Sequence, residues 1–274
     1  QALWDELAET TDCIVHGGAA VHHAQGYDSL RATNVGGTVQ GLRLAATARA
    51  KRLCLVSTLA VTEATPDATE DTPLVPPWKG SGYAQTKWVA DRLALAAAAR
   101  GHDVKVCRLG LVLGDTARGR VQVGGYWATQ ALRACARVAA VPEGLELPLH
   151  AIPVDLAARS IVAAALAGGT RVVTHIGGAE LFATEIGAAA LREAGVSCES
   201  IPLPHWVDRV RGAAATDSEL KRFLALLDSA ETAPFTPVGV SSGEKLLREL
   251  GLTQPPLREL LVRNLRYLQE RGAL

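Results

Sequence analysis

Short, nearly continuous apolar runs alternate with longer amphipathic segments in the first part of the chain. The apolar runs are Asp12–His16, Arg52–Ser57 and Asp103–Leu109, each of a length suited to a buried strand. Between them, Ser29–Arg49 and Tyr83–Arg100 place apolar residues at helical spacing. Strands that are apolar on both faces and are connected through helices form a parallel sheet with right-handed crossovers. The pattern therefore predicts an α/β protein with half of a doubly wound, Rossmann-like nucleotide-binding sheet.

After Gly114 the pattern becomes mainly helical. Helices are predicted at about 127–139, 152–166, 184–194, 204–212, 216–228, 241–250 and 256–271, and short strands at 171–177 and 197–202. Pro153 suits the first turn of the second of these helices, where a missing N–H is tolerated. We therefore predict a partial dinucleotide-binding domain at 1–150 and a smaller, mainly helical lobe at 151–274. This lobe is expected to bind the substrate or a carrier domain and to return some strands to the main sheet.

Composition and charge narrow the class of protein. Apolar residues make up 48% and charged residues 20% of the chain, which is typical of a soluble globular protein. The formal net charge is zero, so no electrostatic attraction to nucleic acid or to an anionic membrane is expected. No uncharged apolar stretch reaches the ~18 residues that a membrane span needs. The five cysteines form no CxxC pair, which predicts reduced thiols, no metal site and a cytoplasmic location.

The glycine-rich phosphate-binding turn of a dinucleotide-binding fold is not found in this sequence. The chain also contains no methionine and begins with Gln1. We therefore expect it to be a piece of a longer, multidomain polypeptide in which that turn lies upstream. A sheet without its first strands has an exposed edge. Residues 1–274 expressed alone are accordingly expected to aggregate or to fail to bind the cofactor.

A tyrosine and a lysine four residues apart, Tyr83 and Lys87, are the main chemical signal. Four residues make one helical turn, so both side chains lie on the same face of the predicted helix. A neighbouring cation favours the phenolate and lowers the pKa of tyrosine from its usual value of about 10. A phenol of this kind exchanges a proton near neutral pH, as carbonyl reduction by hydride requires. The ammonium of Lys87 also has donors suited to the hydroxyls of a nicotinamide ribose.

Ser57 and Thr58 end the second predicted strand, and carboxyl ends of strands line the ligand crevice of such sheets. A hydroxyl there donates to a substrate carbonyl oxygen and stabilises the charge that develops on it. Asn34, Gly36 and Gly37 are poor helix formers inside a helical segment, which indicates close packing or a kink. Asn34 is a candidate for holding Lys87 or a water in a proton relay, or is simply part of a strained helix.

Several other side chains carry weaker signals. His16, His22 and His23 have no acidic partner at ligand spacing and are interpreted as structural. His150 is a candidate for lining a substrate cleft. The aromatic residues Trp78, Tyr126 and Trp127 are equally consistent with a pocket wall for an acyl or pantetheine chain and with ordinary packing.

With these residues in place, the chain resembles an extended short-chain dehydrogenase/reductase. More narrowly, it resembles the thioester reductase domains that end nonribosomal peptide and polyketide synthases. The matching stretches are His16–His22, Tyr27–Thr38, Leu42–Ala45, Val56–Thr58, Gly82–Ala90, Arg108–Gly110, Ile152–Asp155, Gly251–Leu252 and Pro255–Leu257. Leu109 stands where the family usually has proline.

The resemblance implies that Thr58, Tyr83 and Lys87 are the catalytic set and that NADPH is the hydride donor. It implies a thioester substrate on the phosphopantetheine arm of an acyl- or peptidyl-carrier domain, released as an aldehyde or reduced on to an alcohol. The residues expected around the cofactor are Gly17, Gly18, Ala19, Asn34, Ser57, Lys87, Arg108, Gly110 and Leu111. Residues 108–111 are expected near its nicotinamide end.

Three alternatives stay open at the level of sequence. Another extended dehydrogenase, of the nucleotide-sugar or hydroxysteroid type, shares the Thr/Tyr/Lys chemistry. A cyclising release domain discharges its product without redox chemistry, although an intact Thr58, Tyr83 and Lys87 argue against it. A fragment without activity of its own is the third.

Overall fold

The structure is a computed structural model that describes the chain except for residues 23–24, 124–126, 145, 179–180 and 231–237. The strands are β1 (Cys13–His16), β2 (Arg52–Thr58), β3 (Val104–Leu109), β4 (Leu111–Leu113), β5 (Ala140–Pro142), β6 (Glu146–Pro153), β7 (Val173–Ile176), β8 (Leu181–Ala183) and β9 (Glu199–Ile201). The helices are α1 (Ala2–Thr10), α2 (Tyr27–Arg31), α3 (Gly37–Ala46), α4 (Gly82–Ala99), α5 (Trp127–Val138), α6 (Val154–Leu166), α7 (Thr184–Glu193), α8 (Leu203–Ala214), α9 (Ser218–Ala230), α10 (Ser241–Glu249) and α11 (Leu257–Glu270).

Strands β1, β2, β3 and β7 form a parallel sheet in the order β1-β2-β3-β7. Helices α3 and α4 cover one face, where Leu55 and Val106 are fully buried, and α6 covers the other, where Cys54 and Cys107 are fully buried. Strands buried on both faces explain the continuous apolar runs in the sequence. The predicted parallel α/β sheet is confirmed, and the carboxyl ends of its strands meet at one edge.

A second sheet has the order β4-β6-β8, with β6 parallel to β4 and antiparallel to β8. The predicted helix at 152–166 is confirmed, but its predicted start at Ile152 is wrong. Ile152 pairs with Val112 at the end of β6, and α6 begins only at Val154, with Pro153 as the extended residue before it. These strands escaped the sequence analysis because short strands are decided by pairing partners distant in the chain rather than by local preference.

Helices α5, α7, α8, α9 and α11 surround the apolar core of the C-terminal part. Trp206 and Phe223 meet edge to face at this core, with ring centroids 6.2 Å apart. The buried indole N–H of Trp206 donates to the Ala140 carbonyl at 2.9 Å. The predicted boundary at residue 150 falls inside β6, and β7 joins the main sheet as expected of some later strands. The functional division into two domains stays a prediction.

All five cysteines are free thiols, and the sulfur atoms of Cys54 and Cys107 lie 3.7 Å apart between β2 and β3. Of the helices within the described residues, none has the length and apolarity needed to cross a membrane.

Candidate active site

Helix α4 carries Tyr83 in its first turn and Lys87 one turn later, where Lys87 reaches the carboxyl end of β2. The Ser81 hydroxyl caps the helix by accepting the amide N–H of Ala84 at 3.1 Å, which fixes the turn that carries the half-buried Tyr83. One turn later, Lys87 is only 4% exposed, and its Nζ donates to the Val56 carbonyl at 2.7 Å. The lysine is therefore anchored two residues before Thr58.

Burial sets the charge state of Lys87. Desolvation lowers the pKa of its ammonium to about 8, against the attraction of the Asp91 carboxylate, which raises it. Lys87 is thus mostly protonated at neutral pH, yet close enough to its pKa to respond to small changes around it. At the end of β1, burial and then the charge of Lys87 lower the pKa of His16, which keeps that imidazole neutral.

Thr58 ends β2 and caps the 3-10 turn Leu59–Thr62. Its Oγ1 accepts the amide N–H of Ala60 at 3.2 Å. A hydroxyl that accepts one bond still has its proton to donate. Helix α4 packs against both β2 and this turn, so Thr58 lies between two elements that contact the helix of Lys87.

Gly82, next to Tyr83, is required by close packing. A Cβ at this position would lie 2.4 Å from the Gln25 carbonyl oxygen and 2.5 Å from the amide nitrogen of Tyr27. The backbone at the start of α2 thus lies directly against the start of α4. A side chain here would displace the turn that carries Tyr83.

Asn34 lies in a π-helical turn, Ala32–Gly36, that joins α2 to α3. Its side chain is 2% exposed and bonds both backbone groups of Ala20: Oδ1 accepts the N–H at 2.7 Å, and Nδ2 donates to the carbonyl at 3.0 Å. The same Nδ2 donates to the Thr86 hydroxyl at 2.9 Å. Asn34 thus ties the loop after β1 to the helix of Lys87 through Ala20 and Thr86, rather than through Lys87 itself. Sequence reasoning missed Thr86, although it stands inside the Tyr83–Lys87 motif.

Replacing Asn34 with alanine is expected to lower the free energy of unfolding by about 1–3 kcal/mol, because Ala20 and Thr86 lose buried partners. Chemical denaturation followed by circular dichroism measures this. Gln40→Ala, at an exposed position of α3, is the control and is expected to stay within about 0.5 kcal/mol of the parent. An unchanged free energy of unfolding in Asn34→Ala would contradict this linkage between the loop after β1 and helix α4.

Gly17, Gly18 and Ala19 form the loop directly after β1. A Cβ on Gly17 would come no closer than 3.7 Å to Val56, and one on Gly18 no closer than 3.7 Å to His16. These are ordinary contact distances, so the neighbouring protein atoms do not require glycine there. Glycine after a strand end is instead what the close approach of a bound cofactor to the backbone needs.

Ser57 and Arg108 have partners inside the protein. The Ser57 hydroxyl donates to Asp91 Oδ2 at 2.9 Å. Arg108, 1% exposed, donates through Nε to Asp91 Oδ2 at 3.0 Å and through its NH2 group to Asp91 Oδ1 at 2.9 Å. Its side chain is therefore turned into the protein, and only its backbone is left for the predicted place along the cofactor. Asp91 was missed in the sequence, although it follows Lys87 by one helical turn.

Gly110 and Leu111 lie where the chain passes from the main sheet to the second sheet. A Cβ on Gly110 would lie 2.0 Å from the His150 carbonyl oxygen, and Leu111 packs on the core of the C-terminal part. These contacts explain both residues without a cofactor, and their position beside the nicotinamide stays a prediction. His150 is buried and its Nδ1 bonds the Gly178 carbonyl at 2.7 Å, so its ring is held by the backbone.

Of the three aromatic candidates, Trp78 is 77% exposed on the loop before α4. Tyr126 lies outside the described residues, as does His23 among the histidines. Trp127 is the first residue of α5.

The family model described as "Male sterility protein", an NAD-binding domain, matches residues 1–161. The chain is 30% identical to the terminal R domain from the myxalamid PKS-NRPS biosynthetic pathway, with a TM-score of 0.91 over 100% of this chain and 72% of that one. The chain belongs to the male sterility NAD-binding family, among the terminal reductase domains. The domain is therefore of the NAD(P)H-dependent oxidoreductase type that the sequence predicted.

Two curated relatives are much longer proteins. The isonitrile lipopeptide synthase of Streptomyces coeruleorubidus is 32% identical over 294 aligned residues, which cover 100% of this chain and 19% of that protein. The L-2-aminoadipate reductase large subunit of Penicillium chrysogenum is 29% identical over 60% of this chain and 13% of that protein. The reductase domain thus spans less than a fifth of the length of these relatives.

Proposed function

We propose that this reductase domain releases a carrier-bound acyl or peptidyl thioester by NADPH-dependent reduction to an aldehyde, with an alcohol as the product of a second reduction. The observation that carries the proposal is the buried Lys87, bonded to the Val56 carbonyl beside Thr58 and one helical turn from Tyr83. The 30% identity to a terminal R domain supports the thioester as the reacting group.

The residues present fit a nicotinamide cofactor. Gly17 and Gly18 bring a backbone without side chains to the carboxyl edge of the sheet, Asn34 fixes that loop through Ala20, and Lys87 offers an ammonium to ribose hydroxyls. The bound cofactor supplies the hydride. NADPH rather than NADH is proposed from the family resemblance.

The roles of the catalytic set follow from its chemistry. Thr58 donates its hydroxyl proton as a hydrogen bond to the thioester carbonyl oxygen, while Tyr83 donates its phenolic proton to the same oxygen as negative charge develops there. Lys87 has the role of stabilising the negative charge left on the Tyr83 oxygen and of orienting the ribose. The resulting hemithioacetal then collapses: its hydroxyl proton returns to Tyr83, the C–S bond breaks to give the aldehyde, and the leaving pantetheine sulfur takes a proton from water to become the thiol.

The activity is expected to fall as the pH rises through about 8, because the Lys87 ammonium then loses its proton. The free energy of unfolding is expected to change in the opposite direction and to rise with pH. The pKa of Lys87 in the folded protein lies below its ordinary value of about 10.4, so the unfolded chain holds more protons between the two values and stability rises with pH across that window. A pH–rate profile beside chemical denaturation at each pH separates loss of catalysis from unfolding. An activity that stays level up to about pH 10 would contradict the role of Lys87.

The function is tested with the full-length protein and its carrier domain loaded with an acyl thioester. Loss of the reduced-nicotinamide absorbance together with a hydrazine-trapped aldehyde is the expected result. Product release without consumption of NADPH would favour a cyclising domain, and turnover of nucleotide sugars or hydroxysteroids without thioester reduction would favour another dehydrogenase. Running each assay with NADPH and NADH decides the cofactor.

A further inference from the structure

The Asp91 carboxylate is the centre of a buried polar cluster on the catalytic side of the main sheet. It is completely buried and comes from α4, one turn beyond Lys87. Ser57 on β2 and Arg108 on β3 both donate to it at 2.9–3.0 Å. One carboxylate therefore joins the helix of Lys87 to two neighbouring strands.

The two residues of β2 that α4 binds are adjacent in the chain. Lys87 bonds the carbonyl of Val56, and Asp91 bonds the hydroxyl of Ser57, the next residue. Consecutive turns of α4 thus hold consecutive residues of β2. The residue that follows them is Thr58, so the two bonds fix the strand end that carries its hydroxyl.

Arg108 holds the Asp91 carboxylate in place. Both charges are about 1% exposed, and the guanidinium makes a two-point contact with the carboxylate. The third guanidinium contact is Arg108 NH1 to His175 Nε2 at 3.1 Å. Because arginine only donates, His175 Nε2 accepts, and its Nδ1–H donates to the Gly239 carbonyl at 2.7 Å. His175 is therefore neutral, consistent with the lowering of its pKa by burial.

The negative charge next to Lys87 in this cluster is that of Asp91. The titratable groups near Lys87 are Asp91 on α4 and His16 on β1, and those near Asp91 are Arg108 on β3 and His175 on β7. Tyr83 precedes Lys87 by one turn of α4. Both histidines are neutral at the pH of interest. The charge of Lys87 thus depends on two opposing effects: the attraction of Asp91, which favours the ammonium, and burial, which disfavours it.

We propose that Asp91 is a positioning residue for the reduction: it fixes the Ser57–Thr58 end of β2 against α4 and holds the Lys87 ammonium in its charged form. This inference rests on the proposed function, because it gives Lys87 its task. It also reassigns Arg108, which serves the site by fixing Asp91 from inside the protein.

The test follows the alkaline limb of the pH–rate profile in the full-length protein. In Asp91→Asn, the limb is expected to move down by about one pH unit or more, because an amide no longer favours the ammonium and Arg108 is left as an unbalanced cation. Asp103→Asn is the matched control. Asp103 forms an aspartate–arginine pair with Arg52 at the opposite ends of the same strands, 52% exposed, and its loss is expected to leave the limb in place.

Two further measurements keep the outcome decisive. The double variant Asp91→Asn/Arg108→Met removes the buried charge that the single variant leaves unpaired, and it too is expected to show a lowered limb. Competitive acetylation of lysines, read by mass spectrometry, reports the pKa of Lys87 without any turnover, among only six lysines in the chain. A lowered pKa for Lys87 in both variants supports the proposal.

An unchanged alkaline limb and an unchanged acetylation profile in a folded variant would overturn the proposal. Failure of both variants to fold would also overturn it, since Asp91 would then act only by holding the strands together. Absence of thioester reduction in the unmodified enzyme is a failure of the proposed function instead, and the acetylation of Lys87 still tests Asp91 in that case.

Discussion

Tyr83→Phe in the full-length protein is expected to lower turnover of a carrier-bound thioester by roughly 10²-fold or more, the usual scale for losing an acid–base group. The substitution removes one oxygen at the start of α4 and keeps the ring and the Ser81 cap. The dissociation constant of NADPH is expected to change little, because the phenol acts on the substrate oxygen. Steady-state kinetics and cofactor titration by fluorescence measure the two effects separately.

Tyr267→Phe is the matched control for this experiment. Tyr267 lies on α11, where its ring is 5.3 Å from the guanidinium carbon of Arg271, and it has no part in the proposed chemistry. Its turnover is expected to equal that of the parent. Turnover that survives in Tyr83→Phe would show that another group protonates the carbonyl oxygen.

Lys87→Met is expected to lower kcat/KM by roughly 10²-fold to 10³-fold and to weaken cofactor binding as well. Methionine has a similar length but carries neither the charge that tunes Tyr83 nor donors for the ribose. Stability at neutral pH is expected to fall little. The hydrogen bond to the Val56 carbonyl is lost, but so is the burial of an ammonium whose pKa is lowered to about 8. Loss of activity with retained stability in Lys87→Met is therefore the result expected of a catalytic lysine.

A second buried lysine offers the control. Lys105 on β3 is 6% exposed, and its Nζ donates to the Gly169 carbonyl at 2.9 Å and to the Arg171 carbonyl at 2.7 Å. Lys105→Met is expected to lower stability without changing kcat/KM. If both variants lose activity in proportion to stability, Lys87 has only a structural role.

The sequence and the structure agree best where a signal is local. The helix that carries Tyr83 and Lys87 was predicted from its spacing, and α4 begins at Gly82 and ends at Ala99. The poor helix formers around Asn34 predicted an irregularity, and a π-helical turn stands there. Both features depend on residues within a few turns of one another.

The sequence and the structure differ where a feature depends on residues that are distant in the chain. Strand β6 needs β4 and β8 to exist, and the local pattern at its end was interpreted as the start of a helix. The family resemblance places Arg108 along the cofactor, which stays a prediction for its backbone, but it gave no sign that the Arg108 side chain bonds Asp91, 17 residues earlier in the chain. No spacing rule connects these two positions, because the sheet brings them together.

The sequence by itself determined the class of fold and the candidates Thr58, Tyr83 and Lys87, since these follow from short-range periodicity and motif spacing. It indicated the family through its resemblance to the thioester reductase domains. The tertiary structure alone decided how Lys87 is charged and which groups hold it. A pKa depends on desolvation and on nearby charges, and both arise only when β2, β3 and α4 pack together around Asp91.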